Sequence, residues 1–123
     1  MSTQFFKSKA PTALDNCHDG VGSLVFYDMI KENEMPHFIK FIHHDILKTG
    51  VTIGNHFHGT KESPACEEWY YCVSGKGIMY LDGKEYDFEP GDICVCREGG
   101  EHGLQNPYEE DLDIIVVYAS QKE

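Results

Sequence analysis

At 123 residues the chain fits one domain, long enough to bury a core without disulfides. Its formal charge of −11, from 21 acidic against 10 basic residues, argues against nucleic acid and against anionic membranes, since both call for clustered Lys and Arg. Five cysteines without Cys-x-x-Cys spacing, no signal-peptide pattern and no apolar run near the roughly 20 residues of a membrane helix predict reduced thiols in a cytoplasmic protein with no membrane contact.

Residues 1–20, with Pro11, Asn16 and Gly20, are weakly patterned and are expected to form an N-terminal arm ahead of a single domain over 21–123. Leu24-Val25-Phe26-Tyr27 is the first clear strand, and Phe38 to Ile42 gives the next, after the loop containing Pro36. Val51-Thr52-Ile53 follows Gly50 and runs into His56 and His58. Glu68-Trp69-Tyr70-Tyr71-Cys72-Val73 has the aromatic and β-branched content of a strand. Ile78 to Leu81, Asp82-Gly83 and Lys84 to Phe88 form a hairpin signature, because Asp-Gly readily supplies the two positive φ values of a type I′ turn. Pro90-Gly91 fits a type II turn into Ile93 to Cys96, and Ile114 to Tyr118 reads as a buried closing strand. No segment has helical periodicity, so the fold class is all-β, a sandwich or barrel. The acidic residues, including Glu62, Glu67 and the cluster Glu109-Glu110-Asp111-Asp113, read as solvated loops.

One residue separates His56 from His58, so on a strand both imidazoles face the same side. Glu68 stands near the start of the next strand, and His102 follows the turn Gly99-Gly100-Glu101. Neutral imidazole and carboxylate are ligands that Mn, Fe, Ni, Co and Zn all accept. A single His is more often a core or surface residue than a ligand, and a His-x-His pair alone is weak evidence.

The glycines that frame these residues carry more. From Gly54 to Gly75 the chain resembles the first motif of the cupins, in which His-x-His is followed by Glu, six residues and Gly; here Glu68, residues 69 to 74 and Gly75 match. From Gly91 to Asn106 it resembles the second motif, through Gly99, His102 and Asn106, with Arg97 where the family usually has Pro. Nine residues, 59 to 67, separate His58 from Glu68, a longer loop than the family usually has, expected at the barrel mouth and expected to govern substrate choice. The spacing to Gly75 favours Glu68 over the adjacent Glu67 as the ligand.

The resemblance implies a double-stranded β-helix, or jelly-roll cupin barrel, holding one divalent transition metal ion per chain on His56, His58, Glu68 and His102, and a homodimer to which the N-terminal arm contributes. Several residues are candidates for contact with a small-molecule ligand. Tyr70 and Cys72 share the face of Glu68, and Tyr70 is a candidate catalytic proton donor. One of His43 and His44 faces inward; the spacing leaves open which, and His44 is carried as a substrate-binding candidate. Arg97, the only arginine, suits a substrate carboxylate, although alternation with Cys94 and Cys96 turns it outward. Cys94 and Cys96 themselves read as small buried hydrophobes. The function implied is a metal-dependent enzyme acting on a small oxygenated or anionic metabolite, as a dioxygenase, decarboxylase, isomerase or epimerase. A non-catalytic small-molecule-binding or sensor cupin is the alternative.

Overall fold

The computed structural model describes residues 3–31, 38–58 and 66–120. These form β1 (Thr12–Asp15), β2 (Ser23–Ile30), β3 (Ile39–Leu47), β4 (Thr52–Phe57), β5 (Cys66–Ser74), β6 (Gly77–Leu81), β7 (Lys84–Phe88), β8 (Ile93–Arg97), β9 (Glu101–Gln105) and β10 (Leu112–Ser120). The expected loop over 59–67 falls outside the described residues as far as 65; Cys66 and Glu67 already belong to β5.

Two sheets face one another. One has six strands in the order β1-β2-β3-β10-β5-β8, the other four in the order β4-β9-β6-β7, and every pairing is antiparallel. This is the all-β jelly-roll barrel. Side chains alternate across each strand, so one face of each sheet supplies the core. Leu24, Leu47, Ile53, Tyr70, Cys72, Met79, Leu104, Leu112, Ile114 and Val116 are all buried there.

The turns follow their residues. Asp82 and Gly83 have φ of 47° and 88°, the two positive values of the type I′ hairpin. Gly91 has φ 91° and Asp92 donates its N–H to Glu89 O at 2.9 Å, as a Pro-Gly type II turn requires.

β10 is the buried final strand that its apolar run predicts; it lies at the centre of the larger sheet, between β3 and β5, and alternates between buried and half-buried positions. Its apolar run reflects neighbours on both sides. Two features depart from the sequence expectations. β1 precedes the strand expected to be first and pairs with β2, Ala13 opposite Val25. Cys17–Asp19 forms a single 3-10 turn packed on β4, so residues 12–19 of the expected arm are built into the barrel wall. Among the described residues no helix is long and apolar enough to cross a membrane.

Asn106, a position of the second motif, is structural. Its buried amide donates to Leu47 O at 2.9 Å and Glu110 O at 2.8 Å and accepts from Tyr108 N–H at 3.0 Å, tying the end of β3 to the loop before β10. Removing it leaves three partners unmet. Asn106→Ala is expected to lower unfolding free energy by about 2 kcal/mol or more in urea titration, with metal content per folded chain unchanged.

Candidate metal centre

His56 lies on β4 directly opposite His102 on β9. The β4–β9 register shifts between Ile53 and His56, an irregularity that re-aims the strand just before its ligand candidates. His58 stands one residue past β4, yet its backbone keeps the pairing: its N–H donates to Gly100 O at 3.0 Å and its O accepts from Gly99 N–H at 2.8 Å. Both imidazoles therefore point to one side, as the spacing requires. Glu68 reaches them from β5, in the opposing sheet.

The donor atoms converge. His56, His58 and His102 bring their Nε2 atoms to 3.0, 2.9 and 3.0 Å of one another, and Glu68 Oε1 lies 3.0 Å from His58 Nε2 and 3.1 Å from His102 Nε2. All four donor atoms lie within 4.8 Å of one another. The His56 Nδ1–H is committed to Gly54 O at 2.7 Å, which leaves its Nε2 as a bare lone pair. Three neutral imidazoles can then offer at most two ring N–H groups, from His58 and His102, to five short contacts. Lone pairs crowded in this way call for a positive centre between them.

Donor spacing also tests the fit. Ligands about 2.1 Å from a common ion stand about 3.0 Å apart at right angles and about 3.4 Å apart in a tetrahedron. The observed 2.9–3.1 Å contacts match donors set at right angles about a common point rather than a tetrahedron. The residues present fit a divalent transition metal ion.

The surroundings favour the metal-binding protonation states. Burial, with the neighbouring His18, His102 and His58 rings, pushes the His56 imidazole down to about 4 against the opposing pull of the Gly54 carbonyl. Burial opposes ionisation of Glu68, but hydrogen bonds from His102 and His58 outweigh it and hold the carboxyl down at about 2. Glu68 is the carboxylate that converges with the histidines; Glu67 lies on the other face and accepts from Arg97 Nε at 3.3 Å.

Two features were not legible in the sequence. His18 stacks on His56, ring centroids 3.4 Å apart and nearly parallel, from a turn in which Asn16, His18 and Asp19 all have positive φ. Such left-handed residues persist only where surrounding structure holds them. Here Asn16 N–H donates to Gly22 O at 2.9 Å, and Thr52 N–H to Val21 O at 2.9 Å. The approach to β4 also needs glycine, because a Cβ on Gly54 would lie 1.9 Å from His18 O. The second feature is Asp45, buried on the inner face of β3 with its Oδ1 unpartnered among the described residues.

The other candidates divide. Tyr70 is buried with its ring 4.9 Å from that of His102. Burial, then the negative charge of Glu68, pushes its phenol well up, so it stays protonated. Cys72 shares the inner face but sits in the apolar core, its thiol directed to Ser74 O and Gly75 O, and burial pushes it up to about 11. Cys94 and Cys96 pair opposite Tyr70 and Glu68, and all five cysteines are free thiols. Arg97 has 65% of its side chain exposed and faces Glu67, away from the ligand set; alternation along β8 turns it out. The inward histidine of the pair is His43. It shares the face of Phe41, Asp45 and Leu47 and stacks on Phe41, whereas His44 stacks on Tyr27 and faces Asp113 on the outside.

Comparisons with known proteins agree with this fold. A family model described as "Cupin domain" matches residues 44–118. The oxalate-binding protein of Thermotoga maritima is 24% identical over 107 residues, covering 87% of this chain and 84% of that protein. The crystal structure of a predicted oxalate decarboxylase from Thermotoga maritima superposes with a TM-score of 0.85 at 23% identity, over 95% of this chain and 99% of that one. KdgF from Halomonas sp. gives 0.75 at 16% identity, over 99% and 97%.

Burial, then Glu68 and Asp28, push Asp45 up to about 7 from the ordinary 3.8. The unfolded chain releases that proton near pH 4 and the folded chain keeps it to about 7. Stability contributed at low pH is therefore lost as pH rises across that window. His56, held down at about 4, contributes the opposite slope over the same range, so the Asp45 contribution is read as a difference: in chemical denaturation of metal-free protein, the stability of the wild type relative to Asp45→Asn should fall as pH rises from 4 to 7.

Proposed function

The chain belongs to the cupin family, and from that premise we propose that His56, His58, Glu68 and His102 hold one divalent transition metal ion on which a small oxygen-rich acid is bound and transformed. The spacing of the four donor atoms carries this reading, because their short contacts exceed the hydrogens that neutral imidazoles can offer. Three imidazoles and one carboxylate leave a divalent ion with a net charge of about +1 and, in six-coordination, two further positions. When bound, the ion supplies Lewis acidity toward carboxylate and carbonyl oxygens. Mn, Fe, Ni and Co suit the right-angled spacing better than Zn, which prefers four tetrahedral ligands in protein sites.

The chain's own residues do the rest. Nδ1–H of His56 donates to Gly54 O, fixing the tautomer and ring orientation, while His18 packs against the ring face. Tyr70, buried beside His102 and held protonated, serves as a hydrogen-bond or proton donor rather than a base. Phe41 and Tyr118 stack with centroids 5.0 Å apart, and Tyr118 lies 6.0 Å from the His58 ring, giving the site an aromatic wall. Arg97 faces Glu67, away from the ligand set, and the four residues would hold a metal able to bind a ligand carboxylate. The name of the Thermotoga maritima relative makes oxalate the first ligand to test. Free thiols favour a reducing, cytoplasmic setting. The exposed Tyr71, Val73 and Ile93 on the outer face of β5 and β8 favour a homodimer that covers them.

Protein purified without chelators should carry about one metal ion per chain by elemental analysis, and His102→Ala should lose most of it while staying folded. Calorimetric titration with oxalate should give binding to the metal-loaded protein and none to the chelator-treated one. Turnover that survives metal removal contradicts the catalytic part of this reading, and ligand binding without turnover leaves a binding protein.

A further inference from the structure

Each of the three imidazoles at the metal centre has an aromatic ring beside it from outside the ligand set. His102 has Tyr70 of β5, ring centroids 4.9 Å apart, and His58 has Tyr118 of β10, at 6.0 Å. Both neighbours belong to the larger sheet, where strand pairing places them. The neighbour of His56 is closer and comes from elsewhere: His18 stacks on it at 3.4 Å, 9° from parallel, out of a 3-10 turn.

Core packing does not account for His18, whose side chain is exposed while Cys17 beside it packs against the core. Its backbone is costly to form, with left-handed φ at Asn16, His18 and Asp19, and is held from several sides. Asp19 N–H donates to Asn16 O at 3.0 Å, Asn16 Nδ2 to Gly20 O at 3.1 Å, and Val21 N–H to Thr52 Oγ1 at 2.7 Å. Gly20 and Gly54 let the turn lie against β4, since a Cβ on Gly20 would run into Thr52 O and one on Gly54 into His18 O. His56 gains a support that its own contact does not supply. The bond from its Nδ1–H to Gly54 O, 2.7 Å, selects the tautomer, but a single hydrogen bond lets the ring tilt about that contact. A second ring stacked on its face fixes the plane.

We propose that His18 is a positioning residue of the metal centre: its stacked ring fixes the plane of His56, keeps Nε2 aimed at the ion and so sets how tightly the ion is retained. This rests on the metal-centred reading above. His18 acts through His56 and gives no atom to the ion, since the donors that converge belong to His56, His58, Glu68 and His102.

Two variants separate the ring from the turn. Asparagine tolerates left-handed backbone but has no ring, whereas phenylalanine keeps a ring and suits that backbone less well. Calorimetric titration of Ni²⁺ into chelator-stripped protein gives the affinity, and chelator challenge of the loaded protein gives the release rate. His18→Asn is expected to weaken Ni²⁺ binding about tenfold or more, the usual effect of losing a partner behind a ligand, with faster release. His18→Phe should recover most of that loss, although urea unfolding of the metal-free proteins should find it no more stable than His18→Asn. His18→Phe that binds Ni²⁺ no better than His18→Asn, or affinity unchanged in both variants, overturns the proposal. Should His18→Phe fail to fold, His18→Asn decides alone: weakened binding at unchanged metal-free stability supports the positioning role, and any other result overturns it. X-ray absorption should count three imidazoles on Ni²⁺ in the wild type and in both folded variants; a count lower by one in His18→Phe makes His18 itself a ligand and overturns the positioning role. These failures leave the metal-centred reading standing. Wild type that binds none of Ni²⁺, Co²⁺, Fe²⁺ or Mn²⁺ overturns that reading and this inference with it.

Discussion

The structure turns on the crowding of three imidazole nitrogens and one carboxylate oxygen, with contacts of 2.9–3.1 Å, at the junction of two sheets. Like-polarity atoms at that separation repel unless protons or a cation lie between them, and the protons are too few. That demand explains features that would otherwise be unrelated. The register shift ahead of His56, the pairing of His58 with Gly99 and Gly100 beyond the strand end, and the strained turn that presses His18 on His56 all serve to hold ring nitrogens facing inward. The core beneath, from Leu112 and Ile114 on the central strand to Met79 and Leu104 opposite, gives the rigid frame on which such alignment rests.

A division of labour follows within the barrel. Glu68, Tyr70 and Cys72 alternate inward along one strand, yet their settings differ with depth: ligand candidate, buried phenol beside the ligand set, and apolar filler. On the opposite side of the central strand, Phe41, His43 and Asp45 also alternate inward and change from aromatic wall to acidic floor. The outer face carries the charge pairs, including Arg97 with Glu67, where solvent screens them and little depends on them.

Much of this was legible from residues alone. Strand alternation put His56 and His58 on one side, the six-residue step to Gly75 selected Glu68, and the Asp-Gly and Pro-Gly turns form as their φ preferences demand. Alternation also turned Arg97 outward. What stayed hidden depends on long-range pairing. Whether His43 or His44 faces inward is a question of register, which a run reading Phe-Ile-His-His-Asp-Ile-Leu does not decide until Val116 is known to lie opposite His43. Asp45 becomes visible as an interior acid only once that register is set. His18 carried no local signal, because its place depends on a close approach that Gly54, 36 positions later, permits. The apolar run of β10 marks a buried strand, but its place between β3 and β5 depends on pairing that the run itself does not show.

The central claim is that one ion sits among His56, His58, Glu68 and His102 in right-angled geometry. X-ray absorption at the metal edge of the protein as isolated tests it most directly. The account predicts a six-coordinate shell of nitrogen and oxygen near 2.1 Å, with outer-shell scattering from three imidazoles that falls to two in His56→Ala. A sulfur-containing shell, or a histidine count that does not change in that variant, would contradict it.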